Sequence, residues 1–418
     1  MEKIFVQGRE KLYGSVEISG MKNSALPIIF ASVLVKGESI IENVPVVSDV
    51  HNSLKILSEM GADVKYEDLH TVRICTDNID IEKINMELVS KMRASSYLMG
   101  VLLARFGKVR IAYPGGCNFG HRPIDEHLNG FRQIGAECIE NNGFVEITTN
   151  KKLKSGEIIL DKISVGATIN IVLASVLLDG VTTIDNCAIE PHVDDVICFL
   201  NRAGAKVIRK GRRIYCEGVS SLHGVKYRIF PDMIEALTYF TMLGATGGDI
   251  TLTGVNYEHL SYSAIIFQSM GMCVDSYYDE VRLRVFDRLS GARVVTAPYP
   301  FFPTDLHPQF AAMLCFTKDG GEVREEIFPS RFAYISELER MGANITKSNN
   351  VARVLPSELH AASTYATDLR AGAALVVGAL GASGQSTINN VNYIVRGYED
   401  LTGKISSLGG KIKLLKGE

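Results

Sequence analysis

Leu57-Ser58-Glu59-Met60-Gly61 returns five more times along the chain. The later copies are Phe131-Arg132-Gln133-Ile134-Gly135, Leu200-Asn201-Arg202-Ala203-Gly204, Phe267-Gln268-Ser269-Met270-Gly271, Leu338-Glu339-Arg340-Met341-Gly342 and Ile405-Ser406-Ser407-Leu408-Gly409. The glycines are spaced by 74, 69, 67, 71 and 67 residues. Each phrase sets two apolar residues at i and i+3 and then a glycine where a helix C-cap belongs. After most copies comes an alternating strand, as at 63–66, 206–209 and 411–415.

A second phrase runs in step with the first. Gly37, Gly107, Gly180, Gly248, Gly321 and Gly384 each open an alternating β segment, 24, 28, 24, 23, 21 and 25 residues ahead of their partner glycines. One copy of either phrase is an ordinary helix or strand ending; six phased copies are a repeat. A unit is a buried helix, a strand, a second helix ending in glycine, and a strand or hairpin. A repeat of about 70 residues is too long for a solenoid, and six such units exceed one core, since single cores stop growing near ~250–300 residues. The expectation is two α/β domains of three units each. The midpoint falls near residues 224–233, where Tyr227-Arg228-Ile229-Phe230-Pro231-Asp232 supplies a proline-containing crossing. Domain boundaries are placed at 22–229 for one domain and at 1–21 with 230–418 for the other. A crevice between two similar domains favours a small ligand.

Composition narrows the function. In 418 residues, 46% are hydrophobic and 22% charged, which excludes a disordered or collagen-like chain. With 44 Lys and Arg against 47 Asp and Glu, and no basic run, nucleic acid is not expected as the partner. Apolar stretches such as 169–178 and 373–380 fall short of the ~20 residues that cross a bilayer. The first ten residues carry charges of both signs and no apolar signal-peptide core, so a soluble, cytoplasmic protein is expected. Eight cysteines contain no C-x-x-C pair, and nine histidines are dispersed, so no metal site is expected. Seven of the cysteines sit among apolar or strand-like neighbours and read as buried small hydrophobes.

Four places depart from what the repeat needs. Lys22-Asn23 head an apolar helix running to about Val35, where side-chain donors and a positive helix end suit a phosphate; an ordinary cap with a solvated Lys is the equal alternative. Cys117 lies in the loop Pro114-Gly115-Gly116-Cys117-Asn118-Phe119-Gly120-His121-Arg122-Pro123, where neighbouring cations favour a thiolate, making a nucleophile or a tunable proton donor. Asp161-Lys162-Ile163-Ser164-Val165-Gly166 leads into another apolar helix, its backbone N–H groups a candidate diphosphate cradle or its Ser a simple N-cap. In the second half, Arg331, Arg370 and Arg396 occupy polar turns and suit convergence on a compact anion, although each taken singly reads more readily as a solvated surface arginine; Asp305, after Pro303-Thr304, suits a general base if it faces a hydroxyl.

Taken in order, Lys22-Asn23, Pro114-Gly115-Gly116-Cys117, Arg122-Pro123, Ser164-Val165-Gly166, Pro303-Thr304-Asp305, Arg331, Asp368-Leu369-Arg370 and Arg396-Gly397-Tyr398 resemble the signatures of the UDP-N-acetylglucosamine 1-carboxyvinyltransferases, over essentially the whole chain. The resemblance implies a two-domain inverse α/β barrel of pseudo-threefold βαβαββ units, with the active site in the inter-domain cleft and the Cys117 loop as its lid. It implies enolpyruvyl transfer from phosphoenolpyruvate to UDP-N-acetylglucosamine in peptidoglycan synthesis, with no metal or organic cofactor, in a monomer or weak homo-oligomer. By resemblance, Cys117 is the proton donor, forms the phosphoenolpyruvate adduct and is the fosfomycin target. Asp305 is the base at the sugar hydroxyl. Lys22, Arg122 and Arg396 match phosphate contacts, and Arg331, Arg370 and Arg396 carboxylate contacts. Asn23, Arg93, Arg122, Pro123, Ile124, Asp125, Glu126, His127, Leu128, Lys162, Ile163, Ser164, Val165 and Ile327 match positions around the substrates. Met21, Met233 and Leu237 depart from the family pattern, as do His121 and Glu126. Two alternatives stay open: a paralogue acting on another nucleotide sugar, and a catalytically idle UDP-sugar-binding regulator.

Overall fold

The computed structural model describes residues 2–115, 124–149 and 152–415. Its contacts divide the chain into two compact units. The inserted unit holds 20–115 and 124–230; the terminal unit holds 2–19 and 231–415.

Among the described residues, six helices are largely apolar round their circumference, which requires burial on nearly every side. In the inserted unit these are Lys22–Ala31, Tyr97–Phe106 and Val165–Ser175; in the terminal unit, Met233–Thr246, His307–Leu314 and Leu369–Gly381. Every residue from His307 to Leu314 is buried, as is every residue from Leu369 to Leu380. The three terminal-unit helices pack on one another; in the inserted unit the middle helix packs on both others. Helices therefore form the interior of each unit and sheets the outside, the inverse of a (β/α) barrel. The first of these helices ends at Ala31 and passes into a 3₁₀ turn, Ser32–Leu34, so Val35 already begins a strand.

Among the described residues, six sheets cover the two cores, five four-stranded and one three-stranded. The four-stranded sheets share one plan. Val35–Glu42 lies parallel to Leu222–Arg228 on one side and antiparallel to Val72–Cys75 on the other, and Val72–Cys75 forms a hairpin with Asp63–Tyr66. The same parallel, antiparallel, antiparallel order recurs around Val181–Asp185, Gly248–Thr253, Gly321–Arg324 and Gln385–Asn389. Reading strand, core helix, strand, outer helix, hairpin yields the expected βαβαββ unit. The second unit has short helical turns at 81–96 instead of the parallel strand, so its sheet has three strands.

The chain ends explain the terminal unit. Lys3–Gln7 pairs with Gln385–Asn389 and Lys411–Leu415, with Ile4 opposite Ile388 and Leu414, so the N-terminus completes the sixth sheet. Leu12–Glu17 supplies the parallel edge of the fourth.

The glycine phrase owes its periodicity to one backbone device. Gly61, Gly135, Gly204, Gly271, Gly342 and Gly409 all have φ between +86° and +106°. Each donates its N–H to the carbonyl three residues back, and the following residue donates to the carbonyl five back, as in Gly61 to Ser58 and Ala62 to Leu57. This is the Schellman closure of a helix, which strongly favours glycine. A Cβ on Gly271 meets only Leu289 Cδ2, at 3.9 Å, so Gly271→Ala isolates the backbone cost. Its expected effect is a loss of about 1–2 kcal/mol in urea unfolding; no loss contradicts this reading. The second phrase is less uniform: in the fifth unit the positive φ falls on Gly320, not Gly321.

The reading of seven buried cysteines needs correction. Cys187, Cys216 and Cys315 are buried, Cys75 and Cys138 half-buried, and Cys198 and Cys273 exposed. Apolar neighbours do not say which way a side chain points: Cys198 lies on the outward side of the Pro191–Arg202 helix and Cys273 opens an exposed strand. Among the described residues, no helix is long and apolar enough to cross a membrane.

Candidate active site

Among the described residues, Lys22, Asn23, Arg93, 162–165, Asp305 and Arg370 lie at or just ahead of the N-terminal ends of interior helices, where unpaired N–H groups and the helix dipole favour anions. In the terminal unit, Asp305 lies in the 3₁₀ turn Thr304–Leu306 that leads into His307–Leu314. Arg370 is the second residue of Leu369–Gly381, whose N-cap Asp368 accepts from the N–H groups of Arg370 and Ala371. Arg331 follows the turn after Gly321–Arg324.

The structure brings these three together. Arg331 Nη1 lies 2.8 Å from Asp305 Oδ1, and Arg370 Nη2 lies 3.0 Å from Asp305 Oδ2. Both guanidinium groups are 5% exposed and the carboxylate 25%. Burial alone pushes the Asp305 carboxyl up, but the charges and hydrogen bonds of Arg370 and Arg331 outweigh it and hold the group well below the usual carboxylate range. Asp305 is therefore the counter-ion of two arginines here, a weaker base than a carboxylate facing a free hydroxyl. The Arg370 guanidinium also stacks 5.4 Å from the Tyr398 ring centroid, and the Tyr398 hydroxyl meets Thr238 Oγ1 at 2.8 Å and Gln309 Nε2 at 3.0 Å. Arg396 sits half-buried in the turn two residues before Tyr398, and Ile327 half-buried in the turn before Arg331.

In the inserted unit, Lys22 and Asn23 are the first two residues of the first interior helix, and its N-cap residue Met21 makes no side-chain cap. Lys22 Nζ pairs with the buried Asp49 carboxylate at 2.7 Å. Arg93 opens the turn Arg93–Ser96 ahead of the second helix. Ile124 precedes the helix Asp125–Gln133, with Asp125 exposed, Glu126 half-buried, and His127 and Leu128 buried. Burial, then the Arg93 charge, push the His127 imidazole down to about 3. Its Nδ1 lies 2.8 Å from Asn170 Nδ2, and Asn170 Oδ1 accepts from Gly100 N–H at 2.9 Å, so a neutral ring joins three helices.

Lys162 is exposed, and Ile163, Ser164 and Val165 are half-buried. Glu126 Oε2 accepts from Asp161 N–H at 3.1 Å, which brings the 125–128 and 161–165 segments together. The Ser164 hydroxyl caps Ala167 N–H at 3.3 Å and so occupies one of the N–H groups offered for a diphosphate. Cys117, His121, Arg122 and Pro123 lie outside the described residues. Of the departures, Met21 and Leu237 are buried and Met233 opens its helix nearly buried, all in core packing.

Sequence reasoning did not single out Asp49, Asn170, Glu325, His307 or Tyr334. Asp49 had a local signal: an acid in the first turn of Ser48–Glu59, on the same buried side as Ser53 and Ile56.

The EPSP synthase (3-phosphoshikimate 1-carboxyvinyltransferase) family model matches residues 6–405. A UDP-N-acetylglucosamine 1-carboxyvinyltransferase of Halothermothrix orenii is 41% identical over 417 residues, covering 100% of both chains. UDP-N-acetylglucosamine 1-carboxyvinyltransferase 3 of Caldanaerobacter subterraneus is 40% identical, covering 99% of each. Among solved structures, the enolpyruvyl transferase NikO from Streptomyces tendae superposes with a TM-score of 0.89 at 24% identity, over 99% of this chain and 98% of that one. An EPSP synthase from Acinetobacter baumannii gives 0.74 at 16% identity over the whole of both chains. Full-length identity near 40% and the shared fold establish that the chain belongs to the UDP-N-acetylglucosamine 1-carboxyvinyltransferase branch of the enolpyruvyl transferases.

Proposed function

We propose that the chain transfers the enolpyruvyl group of phosphoenolpyruvate to the 3-hydroxyl of UDP-N-acetylglucosamine, releasing phosphate, as the first committed step of peptidoglycan synthesis. The observation that carries this reading onto the chain's own residues is the half-buried Asp305 held between the buried Arg331 and Arg370.

In this reading Cys117 delivers a proton to the methylene carbon of phosphoenolpyruvate, and the sugar hydroxyl attacks the adjacent carbon as Asp305 takes the hydroxyl proton. Loss of phosphate and of one methyl proton from the tetrahedral adduct restores the double bond. Arg331, Arg370 and Arg396 hold the substrate carboxylate; Lys22, Arg122 and Arg396 hold the phosphate as charge moves onto it. Asn23, Arg93, residues 122–128 and 162–165, and Ile327 surround the substrates.

The ion triad adds a physical step. Two guanidinium groups that neutralise Asp305 gain a second anion when the substrate carboxylate arrives. Sharing their charge raises the proton affinity of Asp305, so the base strengthens when its substrate is in place. The proposed chemistry uses no metal or organic cofactor, and the proposed setting is the cytoplasm, as a monomer or weak homo-oligomer.

The test is phosphate release from phosphoenolpyruvate with a panel of UDP-sugars. Release that requires UDP-N-acetylglucosamine is expected. Release with another UDP-sugar alone favours the paralogue reading, and none with any sugar, from folded protein, favours the idle binder.

A further inference from the structure

The carboxylate of Glu325 is fully buried and accepts five hydrogen bonds. Oε1 accepts from Thr296 Oγ1 at 2.8 Å, Ile327 N–H at 2.8 Å and Phe328 N–H at 2.9 Å. Oε2 accepts from Thr304 Oγ1 at 2.9 Å and lies 3.0 Å from Nδ1 of His307, itself fully buried. The far nitrogen of that imidazole, Nε2, lies 2.8 Å from the Tyr334 hydroxyl. Burial pushes the His307 imidazole down despite Glu325, so a neutral ring donates from Nδ1 and accepts at Nε2 from Tyr334.

The repeat supplies an internal comparison. In four other units the central strand is followed by a residue with φ between +56° and +65°: Asn43, Asn186, Gly254 and Asn390. Each of these asparagines donates its side-chain N–H to a carbonyl on the segment that holds the parallel strand, at Ile229, Leu160 and Ala366. In the fifth unit Glu325 takes this place, and the link to the neighbouring segment becomes Thr296 Oγ1 to Glu325 Oε1. Folding of this architecture is therefore satisfied by a neutral amide at a position where the fifth unit buries a carboxylate. Burying one costs free energy unless each oxygen is fully bonded.

What the carboxylate adds is a clamp on two segments. On one side it holds Thr304 and His307, which flank Asp305. On the other it holds the turn at 327–328, whose Phe328 carbonyl accepts from Arg331 N–H at 2.9 Å. Thr304 Oγ1, donating to Glu325, also accepts from Arg331 Nη1 at 3.0 Å, beside the Arg331–Asp305 pair. We propose that Glu325 is a positioning residue for enolpyruvyl transfer: by binding the 304–307 and 327–331 segments to one buried carboxylate, it sets the placement of Asp305 against Arg331.

This inference rests on the roles assigned above to Asp305 and Arg331, and the test keeps the two separable. In Glu325→Gln an amide NH₂ on the Oε1 side faces two backbone N–H donors, and on the Oε2 side it requires the Thr304 hydroxyl and His307 Nδ1 to accept instead of donate, so one arm of the clamp loses its present bonds. A displacement of about 1 Å in a reacting group lowers turnover by about a hundredfold, so kcat is expected to fall about a hundredfold while KM for UDP-N-acetylglucosamine stays within about threefold. Thr304→Val, which keeps shape and loses the bridging hydroxyl, is expected to lower kcat about tenfold. The double variant is expected to match Glu325→Gln alone, because both act through one link. Multiplied losses, a rise in sugar KM equal to the fall in kcat, or wild-type turnover in Thr304→Val overturns the proposal. A crystal structure of each variant decides it independently of activity. Asp305 Oδ1 to Arg331 Nη1 beyond hydrogen-bond distance in either variant supports the clamp, and an unchanged pair in both overturns it. Should Glu325→Gln not fold, Thr304→Val carries both readouts. If the wild type turns over no UDP-sugar, the functional reading fails while the crystallographic result still decides the clamp.

Discussion

Asp305→Asn is expected to lower enolpyruvyl transfer by about a thousandfold, within the ~10²–10⁴ that a positioned base contributes, and to destabilise the chain at neutral pH by about 3 kcal/mol. The second effect follows from burial: Arg331 and Arg370, each 5% exposed, lose their shared counter-ion, and removing one member of a buried ion pair costs ~3–5 kcal/mol. The quarter exposure of Asp305 places the estimate at the low end. The pH dependence has a definite sign. Because the folded-state affinity of Asp305 for a proton is depressed, its contribution is complete above the unfolded value near ~3.9 and declines as pH falls below it. Urea unfolding of wild type and variant is therefore expected to differ most above about pH 5 and to converge in acid. A difference that persists unchanged to pH 3 or below, or a variant as stable as wild type at pH 7, contradicts the triad's role.

Cys117 carries the second large effect. Cys117→Ala is expected to lower phosphate release by about a thousandfold, because general-acid protonation contributes ~10²–10⁴ and alanine cannot donate. Cys117→Asp is expected to retain turnover, since a carboxylic acid still delivers a proton, and to resist fosfomycin, which requires a thiolate to alkylate. Intact mass after fosfomycin treatment checks the assignment. One adduct on wild type and none on Cys117→Asp is expected; an adduct on another cysteine removes Cys117 from this role.

The architecture was legible because its signals are local. A helix whose last turn carries apolar residues at i and i+3 and then glycine states its own end, since φ near +100° at Gly61 or Gly204 strongly favours glycine. Six phased copies turned a weak signal into a unit length. The second phrase slipped at Gly321 because either of two adjacent glycines can hold the left-handed turn, and Gly320 does.

The site was legible in its residue types and less so in its partnerships. Arg331 and Arg370 invite a reading as ligands of a substrate anion; in the structure each pairs with Asp305, 26 and 65 residues from them. Glu325, His307 and Tyr334 left no local trace, because a buried acid, a buried imidazole and a buried phenol are recognisable only as a satisfied set. The cysteines show the opposite error, since Cys198 and Cys273 have apolar neighbours in sequence yet face solvent.

A crystal structure of the full chain with UDP-N-acetylglucosamine and phosphoenolpyruvate, stalled as Cys117→Ala, tests the central claim most directly. The phosphoenolpyruvate carboxylate is expected within hydrogen-bond distance of Arg331 and Arg370, with Asp305 within about 3 Å of the sugar 3-hydroxyl. Substrates bound with Arg331 and Arg370 still closed on Asp305 alone, and with no carboxylate near the hydroxyl, would contradict it.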